Sequence, residues 1–142
     1  MDRISRESRS RNMSAIRSKG NLTTEIALGK QLWASGLRGY RKHWPILGRP
    51  DFAWPGLMVA VFVDGCFWHG CSCKAVPKSN RRFWMKKFES NRTRDTRVTR
   101  TLRRSGWKVL RVRECSLSRP STLRRIASAI GLRRKAVTNG LR

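Results

Sequence analysis

Acidic residues are scarce in this chain, and their scarcity sets its overall charge. Only 8 Asp and Glu stand against 33 Lys and Arg among 142 residues, which gives a formal net charge of +25. Such an excess of one sign repels itself unless a polyanion binds it, so nucleic acid is the expected partner. The alternative is a basic but inert surface, of the kind found on some ribosome-bound proteins.

Long apolar runs are also missing. No stretch approaches the ~18 apolar residues of a membrane-spanning helix, and the beginning of the sequence, MDRISRESRSRN, contains no apolar signal core. The sequence therefore argues against a membrane partner and predicts a soluble, cytoplasmic protein. In such a reducing compartment, clustered cysteines bind metal more often than they form disulfides.

The order of the predicted elements indicates one α/β domain, for which the chain is long enough. Apolar periodicity and Gly or Pro breaks predict a helix from 23 to 36, strands at 40–44, 51–54 and 57–63, a helical region at 79–105 in one or two pieces, a strand at 107–112 and a short helix at 120–131. This order fits a mixed central β-sheet flanked by helices. We expect that domain to span 21–132, between a flexible basic arm (1–20) and a basic tail (133–142).

The cysteines have the spacing of a metal site. Cys66, Cys71 and Cys73 lie in the segment VFVDGCFWHGCSC, and Cys115 follows the last predicted strand. Four thiolates satisfy tetrahedral zinc and leave no position for water, so the spacing predicts a structural zinc site. Free buried thiols, a disulfide pair, or a site of three cysteines with His69 are the alternatives.

The few acidic residues near the predicted sheet are candidate catalytic groups. Asp51 opens one strand and Asp64 ends the next. Carboxylates hold the Mg²⁺ that phosphodiester hydrolysis uses, and His69 is suited to activate water. Glu25 could reach the same place, and Asp95 could orient His69. The simpler interpretation, an ion pair with one of the many arginines, is favoured for Glu25 and Asp95 taken singly.

Large aromatic residues accompany the cysteines. Phe67 and Trp68 lie between thiols in a predicted loop, and Trp84 lies among basic residues of the following helix. These rings either fill the core or form a wedge that inserts between base pairs. Basic residues interleaved with aromatics suit phosphate contact combined with stacking.

Several motifs together resemble the very short patch repair (Vsr) mismatch endonucleases. The motifs are RNMSAI at 11–16, GRPDF at 48–52, VFVDGCFWHGCSC at 61–73, FW at 83–84, Asn91 with Arg94-Asp95, and GWKVLRVREC at 106–115. The resemblance spans about residues 9–117. It implies a restriction-endonuclease-like fold with structural zinc, and a bacterial, nucleoid-associated enzyme. It also implies Mg²⁺-dependent nicking of one strand 5′ to the thymine of a T:G mismatch, the lesion left by deaminated 5-methylcytosine.

The resemblance also implies catalytic roles. Asp51 would be the principal Mg²⁺ ligand, together with the backbone carbonyl of Val63. His69 would be the general base, oriented by Asp95, and Glu25 would be an auxiliary acid.

Further roles concern zinc and DNA. Zinc would be held by Cys66, Cys71, Cys73 and Cys115. The wedge beside the mismatch would consist of Phe67, Trp68 and Trp84. Met13 of the arm would enter the opposite groove, and Asn91 would help to read the mismatched pair.

Two positions depart from the family pattern. Better-known members have a catalytic His at the position of Asp64, so this acid would instead bind metal or contact the partners of His69. They also have His where this chain has Cys71, which exchanges an imidazole ligand for a thiolate.

Other functions stay open. A nuclease of the same fold could accept other mismatches or paired duplex, and a zinc-dependent DNA-binding protein could lack catalysis. We expect a monomer whose partner is mismatched double-stranded DNA, with mismatch-repair proteins as further partners.

Overall fold

The structure, a computed structural model, describes residues 25–68 and 70–140. The predictions for the arm, Met13 and His69 lie outside the described residues. Within them, no helix combines the length and the apolar character needed to cross a membrane.

A four-stranded mixed sheet forms the centre of the fold, as predicted. Its strands are β1 (Arg41–Lys42), β2 (Phe52–Trp54), β3 (Val59–Asp64) and β4 (Lys108–Arg113), in the order β1-β2-β3-β4. The first two pairings are antiparallel, whereas β3 and β4 run parallel. The carboxyl ends of β3 and β4 therefore lie side by side, which positions the residues that follow each strand.

Strand β3 is covered on both faces, as its continuous apolar run predicts. Val59 and Val61 belong to one core cluster, with helix α1 (residues 25–34) and helix α3 (Pro120–Gly140). Ala60 and Phe62 belong to the other cluster, together with Val98 and Leu102 of helix α2 (Arg81–Arg104). This division follows from the alternation of side chains along a strand.

The helical region after the cysteine segment is a single helix. Helix α2 runs without a break over 24 residues, and Arg103 and Arg104 in its last turn complement the helix dipole. Gly106, whose φ of 97° only glycine adopts readily, turns the chain back into β4.

The last helix is longer than predicted. The sequence suggests that it ends near Gly131, but α3 continues to Gly140. A glycine inside a helix costs only about 1 kcal/mol relative to alanine, and the packing of Ile126 and Ile130 on the sheet outweighs that penalty.

Candidate active site and cysteine cluster

The antiparallel pairing of β2 and β3 places the first catalytic candidate. Phe52 pairs with Val61, so Asp51 lies beside the end of β3. The backbone N–H of Val63 donates to Asp51 Oδ2 at 2.6 Å. Asp51 and Val63, the two residues expected to hold the catalytic cation, are thus in direct contact.

Two further side chains face Asp51. Glu25 is buried, and its Oε2 atom lies 3.0 Å from His43 Nε2. One potential ligand atom from each of Glu25, His43 and Asp51 lies within 4.8 Å of the other two. Sequence reasoning missed His43, although it is one of only two histidines in the chain. Nothing local marks it, because it is brought to Asp51 by tertiary folding.

Burial changes the protonation of Asp51. Loss of solvent raises the pKa of Asp51, the Val63 N–H lowers it, and the nearby Glu25 carboxyl raises it; together these effects bring the pKa to about 6. Two carboxyl groups held this close repel each other when ionised, so the pair favours a cation. The donor set of carboxylate oxygens therefore fits a divalent cation such as Mg²⁺.

One cavity of about 270 Å³ collects seven of the predicted site residues. Its lining includes Glu25, Asp51, Val63, Asp64, Trp68, Asn91 and Asp95. These residues come from α1, the ends of β2 and β3, the loop after β3, and the middle of α2. Four of the candidate acids and one candidate wedge residue therefore share a single recess.

Arg111 of β4 connects two of those acids. Its Nη1 atom donates to Asp64 Oδ1 at 2.7 Å and lies 3.8 Å from Asp95 Oδ2. Its Nε donates to Thr99 Oγ1 at 2.7 Å, and the guanidinium lies 4.3 Å from the centroid of the Phe62 ring. The acid at position 64 is thus balanced by a fixed cation. Among so many arginines, no sequence signal singles out this one.

The aromatic residues form a cluster next to the cavity, which Trp68 lines. The Phe67 ring lies 5.1 Å from Trp68, 5.3 Å from Trp84 and 5.8 Å from Phe88, in edge-to-face arrangements. Phe67 and Trp68 are half-buried, whereas Trp84 and Phe88 are buried beneath them. The two outer rings therefore rest on an aromatic base supplied by α2.

Asn91 supports the loop that carries these rings. Its side chain is buried, and its Nδ2 donates to the backbone carbonyl of Trp68 at 2.9 Å. The Asn91 side chain therefore holds the backbone of Trp68 at a fixed distance from α2.

Parallel strand pairing brings the cysteines together. Asp64 pairs with Arg113 across β3 and β4, and Cys66 and Cys115 each follow two residues later. The Cys115 N–H donates to Cys66 Sγ at 3.4 Å. The loop that bears Cys71 and Cys73 then folds back, so that all four sulfurs lie within 4.8 Å of one another.

The sulfur geometry suits zinc rather than a disulfide. Cys71 Sγ lies 3.9 Å from Cys115 Sγ. Disulfide sulfurs are about 2 Å apart, whereas sulfurs at about 2.3 Å from a tetrahedral zinc lie about 3.8 Å from each other. The four-thiol donor set therefore fits the expected structural ion.

The environment already favours one thiolate. The backbone N–H and the thiol of Cys73 donate to Cys71 and lower its pKa to about 7. Donation to Cys71 raises the pKa of Cys73, and burial raises the pKa of Cys66. A bound cation would favour the thiolate at all four positions.

A second groove supplies positive charge. It has a volume of about 1340 Å³ and lies between α2, β4 and α3. Eight basic residues, seven arginines and Lys108, line it, compared with two acidic residues, Asp64 and Asp95. Such a lining attracts phosphates without reading sequence.

Carboxylates at the edge of a mixed sheet, aromatic rings at the rim and a strongly basic surface together define a phosphodiester-cleaving enzyme of the DNA endonuclease class. Comparison with known proteins agrees with that class. The profile of the family described as DNA mismatch endonuclease Vsr matches residues 1–75, and the chain belongs to this family.

Curated relatives are similar over most of their length. The type II nicking enzyme V.NmeDIP of Neisseria meningitidis serogroup C is 47% identical over 114 residues, which cover 78% of this chain and 76% of the relative. The type II nicking enzyme V.XorIIP of Xanthomonas oryzae is 41% identical over a match that covers 82% of this chain and 87% of the relative. The DNA mismatch endonuclease Vsr of Escherichia coli is 37% identical over a match that covers 77% of this chain and 70% of the relative.

Proposed function

We propose that this chain nicks one DNA strand 5′ to the thymine of a T:G mismatch, in the repair of deaminated 5-methylcytosine in the bacterial cytoplasm. The proposal includes a restriction-endonuclease-like fold, catalytic Mg²⁺ and structural zinc. The observation that carries it is the contact of Asp51 with Val63 and Glu25 in the cavity beside the Phe67–Trp68 rings. In this proposal the cleavage chemistry and the wedge that opens DNA would be adjacent.

The catalytic cation would be held by the Asp51 carboxylate and the Val63 carbonyl. When bound, Mg²⁺ neutralises the charge that develops on the scissile phosphate. The Val63 N–H fixes one Asp51 oxygen, which leaves the orientation of the other defined. Buried Glu25 adds a second negative oxygen donor on the same side.

Proton transfer would rest on His69, the general base implied by the family resemblance. Asp95 would orient its ring, and Arg111 holds both Asp95 and Asp64 in place. In this proposal Asp64 does not replace the catalytic histidine of better-known members. It instead anchors the guanidinium that keeps Asp95 near the cavity.

Mismatch selectivity would come from the energetics of opening DNA. Inserting Phe67 and Trp68 requires unstacking, which costs a few kcal/mol at a base step. A mismatched pair is already weakly held, so less energy is needed there. The basic groove and the arm would grip phosphates, and Met13 of the arm would enter the groove opposite the wedge. Trp84, expected in the wedge, is buried and would support the other two rings from below.

Zinc would stiffen the wedge loop. Cys66 and Cys71 flank the rings, and Cys115 ties them to the end of β4. Asn91 holds Trp68 from the α2 side. Because an enzyme with one such site cuts one strand, the chain would act as a monomer, with mismatch-repair proteins receiving the nick.

A panel of end-labelled duplexes, each with one defined mismatch, tests this function. Mg²⁺ is omitted or added rather than chelated, because a chelator would also attack the cysteine cluster. We expect Mg²⁺-dependent cleavage 5′ to the thymine of T:G. Asp51→Asn should retain binding and lose about 100-fold or more in rate.

Glu89→Gln, at an exposed acid of α2, is the matched control and should cut normally. Equal cutting of fully paired DNA would replace this function with that of a broader nuclease. Binding without cutting of any duplex would identify a non-catalytic zinc-dependent DNA-binding protein.

A further inference from the structure

We infer that His43 is a nitrogen ligand of the catalytic divalent cation, so that this site prefers Mn²⁺ to Mg²⁺. The inference rests on the proposed function, which places a cation at Asp51. It adds His43 to the metal ligands expected from the sequence. This extra nitrogen ligand gives the site a metal preference that those ligands alone would not give.

The position of the imidazole carries the inference. Its Nε2 atom lies 3.0 Å from Glu25 Oε2, and the ligand atoms of Glu25, His43 and Asp51 all lie within 4.8 Å of one another. Atoms on opposite sides of one cation, each at about 2.1–2.2 Å from it, are about 4.3 Å apart. One ion can therefore reach all three groups with small side-chain adjustments.

Accessibility distinguishes His43 from its two partners. Its side chain is 53% exposed, while that of Glu25 is 9% exposed. All three groups line the same cavity of about 270 Å³. The two carboxylates are thus the more buried groups of the cavity lining, and the imidazole is the most accessible of the three.

The backbone holds the imidazole in this place. His43 follows β1 directly and adopts a φ of 52°, a left-handed conformation that histidine, asparagine and aspartate accept more often than other residues with a side chain. The loop between His43 and Asp51 is anchored at Gly48, where an added Cβ would lie 2.5 Å from Val98 Cγ1. The loop is therefore packed against α2 and β3 at Gly48, while its first residue, His43, follows directly from the paired strand β1.

The chemistry of the three ligand groups predicts which metal the site prefers. Mg²⁺ takes oxygen ligands almost exclusively, whereas imidazole nitrogen suits first-row transition metals. Two carboxylates with one imidazole consequently favour Mn²⁺ over Mg²⁺. The competing arrangement keeps His43 outside the coordination shell, as a hydrogen-bond donor to Glu25.

Mn²⁺ binding to the full, zinc-loaded chain tests the inference without DNA or turnover. Pulsed electron paramagnetic resonance of bound Mn²⁺ should detect hyperfine coupling to a directly bound nitrogen. Titration calorimetry should show tighter binding of Mn²⁺ than of Mg²⁺. His43→Asn, which tolerates the left-handed backbone and offers an oxygen, should abolish the nitrogen coupling.

His43→Asn should also weaken Mn²⁺ binding by about 10- to 100-fold, at least the effect of removing a residue that only supports a ligand. Its Mg²⁺ affinity should change by no more than about twofold, because an oxygen replaces a nitrogen that Mg²⁺ does not favour. Arg41→Asn, at an exposed residue of the preceding strand, is the control and should match the unaltered protein.

The outcomes separate this inference from the proposed function. Bound Mn²⁺ without nitrogen coupling, or unchanged affinity in His43→Asn while Asp51→Asn loses binding, would overturn the role of His43 alone. Unchanged Mn²⁺ affinity in Asp51→Asn would remove the cation from this cavity and overturn both.

Discussion

Arg111 donates to Asp64 across 2.7 Å, from the edge strand β4 to the last residue of β3. Both side chains are largely buried, with 21% and 16% exposed. This pair lies under the cavity that also contains Asp95. The negative charge of Asp64 can lie beside the other acids of the cavity because the Arg111 guanidinium neutralises it.

Removing the guanidinium should therefore destabilise the fold. Arg111→Met removes the guanidinium that lies beside both Asp64 and Asp95, and we expect a loss of about 2–3 kcal/mol in the free energy of unfolding, measured with urea. Arg111→Lys should lose less, because it keeps the charge but not the planar fork. In a double-mutant cycle, Asp64→Asn should cost less in the Arg111→Met background; strictly additive effects would contradict the pairing.

The cysteine cluster should be needed for both metal content and loop order. Cys115→Ala removes one sulfur of the four, so we expect loss of stoichiometric zinc and a lower melting temperature, since metal binding is linked to folding. Metal analysis and thermal denaturation measure both. Ser72→Ala, in the same loop, is the control; a Cys115→Ala protein that keeps its zinc would rule out the four-thiol site.

Asp51 should reduce stability when no divalent cation is bound. The pKa of Asp51 rises from 3.8 in the unfolded chain to about 6 in the folded chain. The contribution of Asp51 to the free energy of unfolding is therefore fully present below pH 3.8 and is lost as the pH rises through about 6, because the buried carboxyl then ionises. At pH 8 without Mg²⁺, Asp51→Asn should be more stable than the unaltered protein by on the order of 1–2 kcal/mol.

Urea denaturation across pH checks this effect, with Glu89→Gln as the control. Below about pH 4 the difference between Asp51→Asn and the unaltered protein should disappear. A difference that does not depend on pH would show that burial of the charge is not its cause.

Two glycines should respond oppositely to alanine. Gly48 has a φ of 78°, and its Cβ would lie 2.5 Å from Val98 Cγ1, so Gly48→Ala should cost about 2 kcal/mol or more. Gly131 lies inside α3 with open space around a Cβ, so Gly131→Ala should stabilise by about 0.5–1 kcal/mol. Denaturation of both variants measures this contrast, and a neutral Gly48→Ala would refute the close packing of the loop before Asp51.

The sequence was most informative where local pattern and chemistry coincide. The apolar run ending at Asp64 predicts a central strand, and β3 is central. The cysteine spacing predicts a cluster, and the four sulfurs do converge. The Phe-Trp pair beside the thiols leaves a core role and a wedge open, and Phe67 and Trp68 are half-buried and in contact with each other, with Trp68 lining the cavity.

Prediction was less successful where a local signal competes with packing. Gly131 looks like the end of a helix, but the packing of Ile126 and Ile130 on the sheet outweighs the cost of a helical glycine, and α3 continues to Gly140. The roles of Met13 and His69 stay predictions, because both residues lie outside the described part of the chain.

By itself, the sequence determined the kinds of chemistry available: a polycationic chain with one dense group of thiols, a few acids next to apolar runs, and rings between the thiols. Only the tertiary structure brought His43 to Glu25 and singled out Arg111 among many arginines. The physical reason is that both act across strands and helices far apart in the chain. Their partners, Glu25 at 18 residues and Asp64 at 47 residues of separation, are chosen by strand register and helix packing rather than by local pattern.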